Sequence, residues 1–164
     1  MTTPTSEGAT APPFSVAVDV MGGDYAPEEL VAGAVEAARQ HGIKVLVVGD
    51  AEAVEAELSK HPTDGLQITL VPSQGVIMET DHPTLAMREK PRASVIEAAK
   101  LVKTGHAQAM VSLGSTGAAM ATATLVLGPR EGIELLDRLD GIEGMIVTKD
   151  QTVLSSRGLR KYRM

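Results

Sequence analysis

Residues 15–42 read SVAVDVMGGDYAPEELVAGAVEAARQHG, and this stretch decides the fold. It opens with a short apolar run, Ser15 to Val20, that stops at Gly22-Gly23. Pro27 stands where a helix can begin, because a proline's missing N–H costs nothing in a first turn. Val31, Ala34, Val35 and Ala38 then recur at helical spacing as one apolar stripe, and Gly42 ends it. Strand, glycine turn and helix together make one βα unit.

The same unit recurs downstream. Lys44 to Val48 (KVLVV) reads as a second strand running into Gly49-Asp50, and Asp50 is a good N-cap for a helix from Ala51. Leu66 to Val71 is a third strand. Pro72 to Pro83 has no period and reads as a long loop. Ser94 and Glu97 have capping-box spacing at the start of a helix whose apolar face is Val95, Ala98, Ala99 and Val102. Ala107 to Ser112 is a fourth strand, followed by Gly114-Ser115-Thr116-Gly117 and a small-residue helix from Ala118 to about Leu127. Short, wholly apolar strands alternating with helices predict an α/β fold, a doubly wound three-layer α/β/α sandwich around a mostly parallel sheet. Parallel strands need crossover helices, and those helices bury both sheet faces.

The flanks differ from residues 14–128. Residues 1–13, rich in Thr, Pro, Ala and Gly, read as a disordered tail, without the basic end and apolar stretch of a signal peptide. From 129 to 164 the βα pattern gives way to a divergent tail. It holds a short helix, Glu131 to Leu139, then a hairpin of Met145–Thr148 and Thr152–Ser155, then a basic end from Arg157 that reads as frayed.

Composition excludes several classes of function. A net charge of -6 with 2% aromatic residues gives neither an electrostatic footprint nor a stacking platform for nucleic acid. The absence of cysteine removes disulfide and thiolate chemistry and fits the cytoplasm. The four histidines suggest no metal set, and no H-E-x-x-H, Walker A or G-x-S-x-G motif occurs.

What remains lies at glycine turns that end strands, the edge where open α/β sheets bind ligands. Ser112-Leu113-Gly114-Ser115-Thr116-Gly117 offers two glycines, hydroxyls and a helix start, which suits a phosphate cradle and equally a plain turn with a cap. Asp19-Val20-Met21-Gly22-Gly23-Asp24 puts two carboxylates around a Gly-Gly turn, fit to orient a ligand or to serve turn chemistry. Val48-Gly49-Asp50 reads as structural. Arg88, Lys90 and Arg92 crowd a loop before the helix at Ser94, suited to phosphate, to an acidic protein surface, or simply to solvent. Asp81-His82 could offer a general base.

Taken together and in order, VAVDVMGGDYAPEELVAGAVEAA, the VVGD turn and REKPRASVIEAAKLVKTGHAQAMVSLGSTGAAMATATLVLG resemble the phosphate acyltransferases of bacterial phospholipid synthesis, over about Val16 to Gly128. The resemblance implies an enzyme with an isopropylmalate-dehydrogenase-like α/β/α sandwich, here shorter than the family. It implies transfer of a fatty acyl group from acyl carrier protein to inorganic phosphate, giving acyl phosphate, with no cofactor. It also implies a homodimer, or another chain covering the sheet, and peripheral membrane association. Carried over, Asp19, Gly22, Gly23 and Asp24 match the first motif and Ser112, Gly114, Thr116 and Gly117 the second. Arg88, Lys90 and Ser94 fall on the basic segment. Ser115 stands where the family usually has Asn, and Pro91 where it tends to have a polar residue. The tail from Glu131 resembles the C-terminal end of FAD:protein FMN transferases over a short apolar stretch. The alternative function is an inactive homologue that binds phosphate or the acyl carrier as an interaction module.

Overall fold

The computed structural model describes residues 14–78, 80–81 and 83–162, so the N-terminal tail and His82 lie outside the described residues. Four parallel strands form the main sheet: β1 (Ser15–Asp19), β2 (Lys44–Gly49), β3 (Ile68–Pro72) and β4 (Ala109–Ser112), in the order β3-β2-β1-β4. The α/β/α reading holds, because helices cover both faces.

Helix α1 (Glu28–His41) lies on one face. It starts on Glu28 and Glu29, whose charges suit the positive end of a helix, and it stops at Gly42 in the left-handed region, φ 61°. Its stripe, Leu30, Val31, Ala34, Val35 and Ala38, packs on Val45 and Val47 of β2 and on Val54 of α2 (Ala51–Leu58). Enclosing a valine side chain contributes about 1.5–3 kcal/mol, so this cluster of valines with no exposed surface is the main stabilising core. Asp50 caps α2, its Oδ1 accepting from the Ala53 N–H at 3.0 Å. The other face of the sheet, Ala17, Leu46 and Val48, packs on α4 (Ser94–Lys103).

Two expectations need correction around α4. The basic segment is not all loop: α3 (Pro83–Glu89) takes in Arg88, and Lys90 to Ala93 form the short link to α4. The capping box does not form. Ala93 is the N-cap and makes no side-chain cap bond, and Ser94 is buried in the first turn. Glu97 instead accepts from Lys100 Nζ at 2.8 Å. Helix α3 itself carries no readable helical signal, because seven residues show too little of one period.

Helix α5 (Thr116–Leu127) packs against α3, α4 and α6 (Pro129–Leu136) rather than presenting an open apolar face. Its Ala118, Thr122 and Thr124 are buried, and Gly132 of α6 sits so close that an added β-carbon would lie 2.4 Å from the Thr124 carbonyl oxygen. On the main sheet, exposed apolar surface lies on β4 and just after it. Val111 is on the same face as Val16 and Val18, beyond the reach of α1, and is 44% exposed; the following Leu113 is 68% exposed. Among the described residues, the outer edge of β4 pairs with no strand.

The tail forms the expected antiparallel hairpin, β5 (Met145–Val147) with β6 (Val153–Ser155). The segment read as frayed is a 3-10 helix, Arg157–Tyr162, tied back where the Arg157 N–H donates to Asp137 Oδ1 at 2.7 Å. Among the described residues, no helix is long and apolar enough to cross a membrane.

Candidate functional site

The strand order fixes where a crevice can open. The chain builds β2 and β3 to one side of β1, then crosses over to place β4 on the other side. Loops after β1 and β4 therefore part in opposite directions, leaving a gap at the carboxyl ends of these two strands. The register pairs Asp19 with Ser112, so the two glycine motifs leave the sheet side by side.

Their junction is a buried carboxylate. Asp19 is only 2% exposed; its Oδ2 accepts from Ser112 Oγ at 2.8 Å and its Oδ1 from the Met21 N–H at 3.1 Å. One oxygen thus fixes the start of its own turn, and the other ties that turn to the next motif. Burying a carboxylate is costly unless it is hydrogen-bonded, so these bonds hold both turns in place.

Gly22 and Gly114 let the turns meet. A β-carbon on Gly22 would stand 2.9 Å from Asp19 Oδ2 and 3.2 Å from the Cα and N of Gly114. Gly23 takes φ 117°, a region that side-chain-bearing residues avoid. Beyond Gly114, Ser115 is the N-cap of α5, its Oγ accepting from the Ala118 N–H at 3.3 Å. That bond leaves the hydroxyl hydrogen of Ser115 unspent. Thr116 and Gly117 are exposed in the first turn of α5, where backbone N–H groups have no intrahelical carbonyl partner.

The crevice has a volume of about 350 Å³ and is walled by Met21 to Asp24, by Leu113 to Ser115, and by Val76, Ile77, Met78 and Thr80. This is the lower end of the size range for small-molecule sites. Asp24 is exposed on the wall, where its carboxylate opposes an anion and suits a cation. The anion-favouring side is the Gly114–Gly117 turn at the start of α5.

The third wall was invisible in the sequence. Residues 73–81 carry no period, and what brings them over the crevice is pairing with residues 90–94. The Gln74 N–H donates to the Arg92 carbonyl at 2.8 Å, and the Ser94 N–H to the Gly75 carbonyl at 3.3 Å. Lys90 Nζ donates to the Val76 carbonyl at 2.9 Å and to Asp81 Oδ2 at 2.6 Å. The only signal was an acidic residue nine positions before a lysine, too weak to read. Asp81 is therefore a paired anion: the Lys90 ammonium, then the Met78 N–H, hold its carboxyl below the ordinary aspartate value. Its partner in the suggested base, His82, lies outside the described residues.

Of the residues singled out from sequence, Asp19, Gly22, Gly23, Asp24, Ser112, Gly114, Ser115, Thr116 and Gly117 gather at one sheet edge. Lys90 reaches the loop beside them. Arg88 is exposed at the end of α3, and Ser94, 1% exposed, is buried and does not line the crevice. No group of acidic and histidine side chains among the described residues could hold a metal ion.

Residues 14–135 match the family model described as fatty acid synthesis protein. The chain is 45% identical over 119 residues to a phosphate acyltransferase of Synechocystis sp., covering 73% of this chain and 34% of that protein. It is 46% identical over 121 residues to a phosphate acyltransferase of Pelotomaculum thermopropionicum, covering 74% and 35%. A phosphate acyltransferase of Herpetosiphon aurantiacus is 44% identical over 119 residues, 73% of this chain and 32% of that protein. The chain thus spans about a third of the length of the curated relatives it matches.

Proposed function

The chain belongs to the fatty acid synthesis protein family, and from that premise we propose that its β1–β4 crevice holds inorganic phosphate for acyl transfer from acyl-acyl carrier protein. The observation that supports this reading is the junction of two glycine turns, through Asp19 and Ser112, beside the N-terminus of α5.

In the reaction, a phosphate oxygen attacks the thioester carbonyl carbon. The new C–O bond forms, the carbonyl oxygen takes negative charge, and the C–S bond then breaks. The carbonyl re-forms and the electron pair leaves on the carrier's sulfur, which takes the proton that hydrogen phosphate gives up; the other product is acyl phosphate, a precursor for phospholipid synthesis. Phosphate brings its own negative charge, so no general base is assigned. The chain's contribution is to hold and orient the nucleophile and to oppose developing charge. Backbone N–H groups at Thr116 and Gly117 and the hydroxyls of Ser115 and Thr116 are the groups for this. Asp19 positions Ser112 and the Met21 turn. The exposed Arg88 and Arg92 suit the acidic surface of a carrier protein. The open β4 edge, with Val111 and Leu113 exposed, calls for cover from a second copy or another chain, and we assign a homodimer to it.

The test is phosphate-dependent release of free carrier protein, with acyl phosphate measured in parallel. The expected result is turnover that falls at least tenfold in Ser112→Ala, which leaves the buried Asp19 short of a donor. Phosphate binding without turnover would favour the reading as an inactive binding module. A folded protein with neither binding nor turnover would sink the proposal.

A further inference from the structure

Lys90 lies in the basic segment before α4, where a cation could serve phosphate directly. Its geometry says otherwise. The ammonium donates to the Val76 carbonyl at 2.9 Å and to Asp81 Oδ2 at 2.6 Å, and its stem lies over Gly75, where an added β-carbon would stand 3.9 Å from Lys90 Cγ. Asp81 Oδ2 also accepts from the Met78 N–H at 2.9 Å, and the Asp81 N–H donates to the Met78 carbonyl at 3.1 Å. Both charges are thus spent on the segment that carries Val76, Ile77, Met78 and Thr80, the crevice's third wall.

We infer that Lys90 and Asp81 are positioning residues, a clasp that sets the wall of Val76, Ile77, Met78 and Thr80 over the crevice and through it the affinity for the anion. The ligand, though not the clasp, rests on the phosphate reading above. A surface ion pair alone is worth little. This one is different in kind, because the same ammonium also binds a backbone carbonyl and the same carboxylate a backbone N–H. Four groups of one loop conformation are fixed at once, and losing either side chain frees the others. The main-chain bonds at Gln74 and Ser94 hold the near end of the segment, and buried Ile77 packs on Ala86, Ala93 and Val95 at its middle; among the described residues, the clasp is what ties the stretch beyond Ile77 to the link before α4.

The experiment uses the full chain and inorganic phosphate as the probe. Backbone amide shifts at Gly114, Ser115 and Thr116 give phosphate affinity, and hydrogen exchange at Met78 and Asp81 reads the loop. Lys90→Met keeps the stem and removes the charge; Asp81→Asn removes the countercharge and leaves the lysine. In both variants, loop exchange is expected to quicken at least tenfold and phosphate affinity to fall several-fold, with Lys90→Arg recovering part of each. The Asn variant discriminates, since a lysine freed from Asp81 would bind phosphate as well or better if it were a direct ligand. Unchanged or tighter binding in Asp81→Asn, with weakened binding in Lys90→Met, would overturn the inference. So would loop exchange at the wild-type rate in both. If the wild-type chain does not bind phosphate, the site reading fails by itself, and the exchange rates alone then decide the clasp.

Discussion

Gly22 has no room for a β-carbon, since Asp19 Oδ2 and the backbone of Gly114 already occupy the space. Overpacking of this kind costs about 1–3 kcal/mol; the nearest neighbour, Asp19 Oδ2, is held by Ser112 and the next is backbone, so neither swings aside freely. Gly22→Ala is expected to lower the urea midpoint accordingly and to abolish phosphate-induced shifts at Gly114. Gly33, inside α1, is the opposite case, with nothing within 4 Å of an added β-carbon. Gly33→Ala is expected to stabilise by about 0.5–1 kcal/mol on helix propensity, in the same denaturation experiment. Asp81 gives a pH dependence. Its carboxyl is held low by Lys90 and the Met78 N–H, so the loop it anchors is fully secured above the ordinary value of 3.8. That anchoring is lost as pH falls through the lowered folded value. Quickened Met78 exchange on acidification only below that ordinary value would bear this out; loosening at higher pH would count against it. Local chemistry predicted Asp19, Gly22 and Gly114 as turn residues. That Asp19 bonds Ser112, 93 positions away, was outside its reach.

At the scale of elements, the helices with strong local signals formed where the sequence placed them. Asp50 caps α2 through the Ala53 N–H. Removing such a cap costs about 1 kcal/mol, so Asp50→Ala should lower stability by that amount in thermal or urea unfolding. Glu97 carries the second capping-box position, yet it turns to Lys100 on the exposed side of α4. Glu97→Ala should therefore cost no more than about 0.5 kcal/mol, the worth of an i,i+3 pair. A larger loss would mean that Glu97 does cap α4 in solution. The reason for the failed box is tertiary. Ser94 is buried, and its N–H is taken by the Gly75 carbonyl, so the helix start is secured by the neighbouring loop. Helix α3 went unread for a related reason: seven residues carry too little periodicity, and its packing on α5 supplies what propensity does not.

For the whole molecule, the sheet's unfinished side dominates. Val16, Val18, Leu30, Ala34, Val111 and Leu113 line an open apolar groove of about 370 Å³ between α1 and β4, next to an unpaired strand edge. Edges and grooves of this kind drive association. The double variant Val111→Lys, Leu113→Lys is expected to shift the chain toward monomer in sedimentation velocity, with the α1 core intact. Unchanged association would move the contact elsewhere, the exposed Met145, Val147 and Val153 of the hairpin being the next surface to test. Local sequence alone specifies the βα alternation, the parallel sheet, the cap at Asp50, the C-terminal hairpin and the two glycine turns. Each of these rests on contacts or conformations within a few residues, or on an apolar period that one element carries alone. Only the tertiary structure decided that β4 lies beside β1 and that Asp19 meets Ser112. It also placed Val76, Ile77, Met78 and Thr80 on the crevice wall, and Lys90 against Asp81 rather than open solvent. Those outcomes depend on which distant segments become neighbours when both faces of the sheet are buried, and no local pattern encodes that choice.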